Sequence, residues 1–146
     1  MRRLFACVLG ALVLSACDFA GLVESSPEPV AFTRIVLTAA PLPDDEDGSP
    51  TDLYVEIQDA GGAAVYRGAI EEDVSPSIFP YTVVTDGAIV GERQSHYVVV
   101  LDYDPSGYRY IGRTGPFTGD ALRAAEDSLV VQGDGPEGFI EATIIL

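Results

Sequence analysis

Lysine and tryptophan are absent from the 146 residues, histidine occurs once and cysteine twice. Each shortage excludes something. Without lysine the basic charge rests on arginine alone, and 8 basic residues face 23 acidic ones, a net charge of −15. A nucleic-acid binder working by phosphate neutralisation, or a polybasic lipid-binding patch, is therefore ruled out. A single histidine and cysteines only at positions 7 and 17 leave no Ser-His-Asp or Cys-His constellation and no zinc set. His96, at the start of a strand, is expected to be a satisfied structural or surface histidine. Carboxylate pairs alone could serve a glycosidase, but tryptophan is missing and no aromatic sugar platform is legible, so no enzyme is expected. What is present is a hydrophobic fraction of 47%, too high for a disordered acidic tail, in a length that suits one domain with a core.

The charge is unevenly distributed at the start. Arg2 and Arg3 precede an uncharged apolar run from Leu4 to Leu14. Spanning a bilayer takes about twenty apolar residues, so this run has the length of a signal-peptide core instead. It ends in Leu14-Ser15-Ala16-Cys17, which resembles the lipobox of bacterial lipoproteins. The resemblance implies cleavage after Ala16, lipid on the Cys17 thiol and display on the extracytoplasmic side of the cell envelope. Cys7 would leave with the leader, and the folded domain would hold no thiol and no disulfide. Asp18 resembles the inner-membrane retention signal of enteric lipoproteins, a rule that does not transfer reliably between bacterial groups. Residues 17–31, with Ser25, Ser26, Pro27 and Pro29, read as a tether reaching a few tens of Å.

From Phe32 to Leu146 the apolar pattern has period two or forms short runs between turn clusters. Strands are expected at Arg34–Thr38, and around Leu53, Val55 and Ile57 with the aliphatic side inward. Asp59–Gly62 reads as a turn, and Ala64–Arg67 as the returning strand. Ile78–Val84 is interrupted by Pro80, which marks an edge or a bulge. Tyr97–Leu101 is a continuous apolar run, expected to be central and buried on both faces. Tyr108–Ile111, Leu129–Val131 and Phe139–Leu146 complete the set, with one helix of about two turns over Gly119–Asp127. Short strands, Gly/Pro turns and almost no helix predict an all-β antiparallel sandwich.

Several landmarks resemble C2 domains. Leu37–Pro43, an acidic loop, and Thr51-Asp52-Leu53-Tyr54-Val55-Glu56-Ile57 match the family's first long segment. Val65-Tyr66-Arg67 with Ser75-Pro76, and Val100-Leu101-Asp102-Tyr103-Asp104 with Ile111-Gly112, follow in the family's order. The resemblance covers roughly residues 32–146 and implies an eight-stranded sandwich. Many C2 domains bind two or three Ca²⁺ ions through five aspartates in loops at one end. Here Asp52, Asp102 and Asp104 fall on three of those positions, and Asp45, Glu46 and Asp47 contain the first-loop ligand with the register open by one residue. Tyr110 stands where the fifth aspartate belongs, and Leu53 replaces a proline.

The candidate metal set is therefore Asp45, Asp47, Asp52, Asp102 and Asp104. Ca²⁺ wants six to eight oxygens, which four carboxylates with carbonyls and water could supply. The competing reading is that Asp44–Asp47 form only a solvated acidic loop. Two further patterns are decoys. Asp44–Gly48 looks like half an EF-hand, but aligning Gly48 puts Pro43 and Tyr54 where Asp and Glu are required. Gly133–Gly138 satisfies G-x-G-x-x-G, yet it lies between two strands and is expected to be a hairpin loop. Among Tyr54, Tyr66, Tyr97, Tyr103, Tyr108 and Tyr110, most are expected to pack, while Tyr103, Tyr108 and Tyr110 could rim the ion loop. The expected function is a lipid-anchored, non-catalytic envelope binding module, assisted by Ca²⁺ and bridging to an anionic ligand or partner. The alternative is a metal-free structural lipoprotein presenting a face to an envelope protein.

Overall fold

In the computed structural model, residues 28–44 and 48–146 are described. The expected leader, Cys17, most of the expected tether, and Asp45–Asp47 lie outside the described residues. Eight strands form the domain: β1 (Val30–Ala39), β2 (Thr51–Asp59), β3 (Ala64–Val74), β4 (Tyr81–Val90), β5 (His96–Asp104), β6 (Gly107–Thr114), β7 (Ser128–Gly135) and β8 (Gly138–Ile145). One helix, α1 (Gly119–Ala124), sits between β6 and β7. All pairings are antiparallel, in the order β3-β2-β5-β6-β7-β8-β1-β4. Only two residue pairs, Arg113↔Asp134 and Thr114↔Gly133, join β6 to β7. The sheet therefore bends there into two four-stranded halves, β3-β2-β5-β6 and β7-β8-β1-β4. On the far side β3 and β4 approach, and the Tyr66 hydroxyl donates to Val84 O at 2.9 Å. The result is a nearly closed sandwich.

The sharp turn at the β6/β7 seam has a steric cause. A Cβ on Gly133 or Gly135 would collide with the carbonyl oxygens of Arg113 and Ile111. Glycines at these positions let the two backbones cross in contact. Two members of the dinucleotide-like decoy thus serve packing, and Pro136–Glu137 forms the expected hairpin turn between the paired Gly135 and Gly138.

Period two fills the interior. Phe32, Ile35, Leu37, Leu53, Val55, Ile57, Val98, Val100, Ile111, Ile140, Ala142 and Ile144 form the core between the halves, and all are essentially inaccessible. Leu122 of α1 adds to it from one end, with the helix started by the Thr118 hydroxyl accepting from Ala121 N at 3.1 Å.

Several boundaries differ from the sequence reading. β1 starts at Val30, where the edge strand β4 supplies a partner in Val90. β3 runs on to Val74, past its apolar start, because β2 pairs with it along most of that length. Pro76–Ile78 is a 3-10 turn, so Pro80 precedes β4 instead of interrupting it, and β4 is an edge as expected. The helix stops at Ala124, before Glu126 with φ of +63°. β5 is central and buried on both faces, as its apolar run predicts. β2 is buried on both faces too, since Tyr54 and Glu56 on its outer side are covered by neighbours.

Candidate functional site

One end of the sandwich gathers the turn between β1 and β2, the start of β2 and the β5–β6 hairpin. There an open cleft of about 570 Å³ is lined by Ser49, Asp52, Asp102, Tyr103, Asp104, Pro105, Ser106, Gly107, Tyr108 and Arg109. The hairpin turn is Pro105–Ser106 between the paired Asp104 and Gly107, and Ser106 N donates to Asp104 Oδ1 at 2.6 Å. Gly107 holds φ of +153°, which favours glycine there.

Alternation along β6 decides what faces the cleft. Tyr108 and Tyr110 point to the outer side of the sheet, and Arg109 between them turns to the core side, directly opposite Asp102 of β5. Its Nη2 lies 2.8 Å from Asp102 Oδ2. The same guanidinium donates to Pro43 O at 2.9 Å and to Asp44 O at 3.3 Å, holding the start of the acidic loop. The Thr51 hydroxyl donates to Pro43 O as well, at 2.7 Å. Asp102 is buried, with its side chain 1% exposed against 36% for Arg109. Its Oδ1 accepts from Asp52 N at 2.9 Å, and Asp52 Oδ1 in turn accepts from Asp73 N at 2.9 Å. A buried carboxylate survives only when paired and hydrogen-bonded. Here a guanidinium and a backbone amide meet that requirement.

Asp52, Asp102 and Asp104 are brought to one cleft, while Asp45 and Asp47 lie outside the described residues. The described side chains form an internal guanidinium–carboxylate pair between Arg109 and Asp102. Each of the three aspartates already accepts from the protein, and among the described residues no group of three or more His, Cys, Asp or Glu could hold a metal. Tyr103, Tyr108 and Tyr110 all lie on the outer face; Tyr103 and Tyr108, at its end beside the hairpin, also border the cleft, and Tyr110, opposite Leu101, does not. Sequence reasoning missed Arg109. The signal was available: in Tyr108-Arg109-Tyr110 a period of two sends the one cation to the side opposite both rings.

The outer face of β2, β5 and β6 carries a second cluster of Tyr54, Val99 and Leu101, with Tyr97 and Tyr103 packed against it. Tyr54 stacks on Tyr108 at 5.2 Å between centroids and 23° between planes, and Tyr103 meets Tyr108 at 5.4 Å. Burial, with Glu56 beside it, pushes the Tyr54 hydroxyl up to about 12. Glu56 also accepts from Arg67 Nε at 3.1 Å and Gln58 Nε2 at 2.7 Å.

His96 lies at the other end of β5. It is 1% exposed, pairs its backbone with Phe117 in both directions and sets its ring 5.9 Å from the Phe117 ring. Burial lowers its pKa below the ordinary value, against smaller upward pulls from the Gln94 backbone and Asp59. Its ring packs at this end of the core beside Phe117, with the Gln94 backbone as a hydrogen-bonding neighbour.

Eight antiparallel strands in two four-stranded halves, with a loop cleft at one end, define an all-β sandwich of C2 type. Among solved structures, the chain is similar to one holding the two adjacent C2 domains of Extended-Synaptotagmin 2, with a TM-score of 0.51 and 16% sequence identity. The match covers 98% of this chain and 48% of that one, so the chain spans about half the length of the two-domain structure. At that identity the likeness is one of fold. No protein-family model matches the chain, and no curated protein matches it.

Proposed function

We propose that the chain is a lipid-anchored, non-catalytic binding module of the cell envelope whose loop cleft works without a metal. The observation that carries the metal-free reading is Arg109. Its guanidinium reaches Asp102 and the carbonyls of Pro43 and Asp44, and so ties the acidic loop to the β5–β6 hairpin as a bound cation would. It brings one positive charge to the place where the resembled family uses ions.

The anchor is read from the lipobox at Cys17. The position of the chain entry suits it. Arg123 Nη2 donates to Glu28 O at 3.2 Å, so the polypeptide enters beside α1, and β1 then runs ten residues toward the cleft. A strand of that length is about 33 Å long. Glu28 thus enters the fold at the end of β1 away from the cleft.

Two experiments test this reading. Replacing Cys17→Ser should abolish incorporation of labelled palmitate and release the protein from the membrane fraction; unchanged membrane association would sink the anchor. Thermal melts with 0–10 mM Ca²⁺ at constant ionic strength should superimpose, the salt being held fixed because divalent ions also screen a charge of this size non-specifically. A second reading keeps Ca²⁺ in the cleft, held by Asp52 and Asp104 together with Asp45 or Asp47. The convergence of Asp52, Asp102 and Asp104 favours it. A chelator-reversible rise of several degrees that Asp104→Asn removes would decide for it.

A further inference from the structure

Five of the seven tyrosines, Tyr54, Tyr97, Tyr103, Tyr108 and Tyr110, stand on the outer face of one half-sheet. Across the strands, Ile70, Tyr54, Leu101 and Tyr110 form one row, and Tyr103 with Tyr108 forms the next. Ile70, Tyr108 and Tyr110 are 37%, 56% and 43% exposed. Tyr54 and Leu101 are buried beneath the neighbouring side chains, so Tyr108, Tyr110 and Ile70 are the exposed part of this patch.

We propose that this face docks a basic, arginine-bearing segment of another envelope protein. The inference rests on the reading of the chain as an envelope binding module and names the class of its partner. Two observations select a cationic occupant. The chain carries −15 with no lysine, a field that attracts cations and repels anionic lipid or acidic partners at long range. At short range the face already shows the contact required: the Arg113 guanidinium lies 4.4 Å from the centroid of the Tyr97 ring. Arginine stacks on tyrosine faces because its planar, weakly hydrated cation meets the negative π-surface. The exposed rings of Tyr108 and Tyr110 offer the same chemistry to an incoming arginine. At the margin of the face, Glu72 is an exposed carboxylate, while Arg67 is paired with Glu56.

The test uses the full chain and a labelled synthetic decapeptide alternating arginine with glycine, followed by fluorescence anisotropy. The same peptide with citrulline for arginine is the uncharged control. The expected result is arginine-dependent binding that weakens with salt. Tyr108→Ala and Tyr110→Ala should each weaken it about 2–5-fold, since an exposed cation–π contact has that worth. Tyr110→Phe should retain binding, and Phe139→Ala on the other half-sheet should leave it unchanged. Circular dichroism of each variant separates lost binding from lost fold. The proposal is overturned if both tyrosine variants bind as the wild type does, which would mean charge attraction alone, or if the citrulline peptide binds equally well. It is also overturned if only a neutral glucan or an anionic vesicle binds. The same titration on the Cys17→Ser chain isolates the two ideas. Peptide binding retained after loss of the anchor supports the docking face on its own, whereas membrane release without any peptide binding refutes the docking face and leaves the anchor standing.

Discussion

Removing Arg109 gives the most direct test of how the cleft is held together. In Arg109→Gln, Asp102 stays almost fully buried but loses the guanidinium 2.8 Å from Oδ2, and the Pro43 and Asp44 carbonyls lose their donor. Breaking a buried ion pair by deleting one partner costs about 3–5 kcal/mol. Arg109 is 36% exposed, so water can take over part of its role, and a loss of about 2–4 kcal/mol is expected. At roughly 3–5 °C per kcal/mol for a domain of this size, Tm should fall by about 10 °C. The double variant Arg109→Gln/Asp102→Asn should recover part of that loss, because no uncompensated charge then remains buried. Thermal melts by circular dichroism and a double-mutant cycle measure both. Ca²⁺ supplies the second arm. If Arg109 occupies the ion's place, 10 mM Ca²⁺ should stabilise Arg109→Gln more than the wild type. A site with a dissociation constant near 1 mM would return about 1.4 kcal/mol. The reasoning fails if Arg109→Gln melts within a degree or two of the wild type and the cycle shows no coupling to Asp102. The guanidinium would then be a surface contact, with the acidic loop held by something else.

Other consequences are simpler. Because burial holds the His96 pKa below that of the unfolded chain, the unfolded state takes up the proton first on acidification. Stability should be full above about pH 6.5 and fall as pH drops below it toward the folded pKa, and His96→Phe should flatten that slope in urea titrations at stepped pH. Gly135→Ala would drive a Cβ into the Ile111 carbonyl at the β6/β7 seam and should cost about 1–3 kcal/mol or more, read from the denaturation midpoint; a neutral effect would mean the two halves are free to part there. Thr85→Val removes the buried hydrogen bond from its hydroxyl to Phe32 O (2.7 Å), which secures the irregular pairing of β4 on β1, and should cost about 1–3 kcal/mol by the same assay.

Local pattern made most of the strands legible. Alternation at Leu53, Val55 and Ile57 and the unbroken run Tyr97–Leu101 reflect where those side chains must go, and burial follows directly. Boundaries were less legible where pairing extends a strand past its apolar start, as in β3, or where a turn absorbs part of it, as around Pro80. Of the candidate site, the convergence of Asp52, Asp102 and Asp104 could be anticipated from the order of the C2-like segments. The partner of Asp102 could not, because Arg109 counts in the sequence as one more charge among many.

The sequence by itself determined the composition-level facts: an acidic chain without lysine, an apolar run ending in Leu14-Ser15-Ala16-Cys17, and period-two segments that bury their apolar sides by packing sheet against sheet. The tertiary structure alone decided how the charges are used. It placed Arg109 across the hairpin from Asp102 and left Tyr108 and Tyr110 of β6 exposed on the outer face. It also brought Gly133 and Gly135 against β6, so that the sheet could fold over. These outcomes depend on cross-strand register, in which residues far apart in the chain become neighbours. A one-residue slip in β6 would have put Arg109 among the tyrosines and a ring against Asp102.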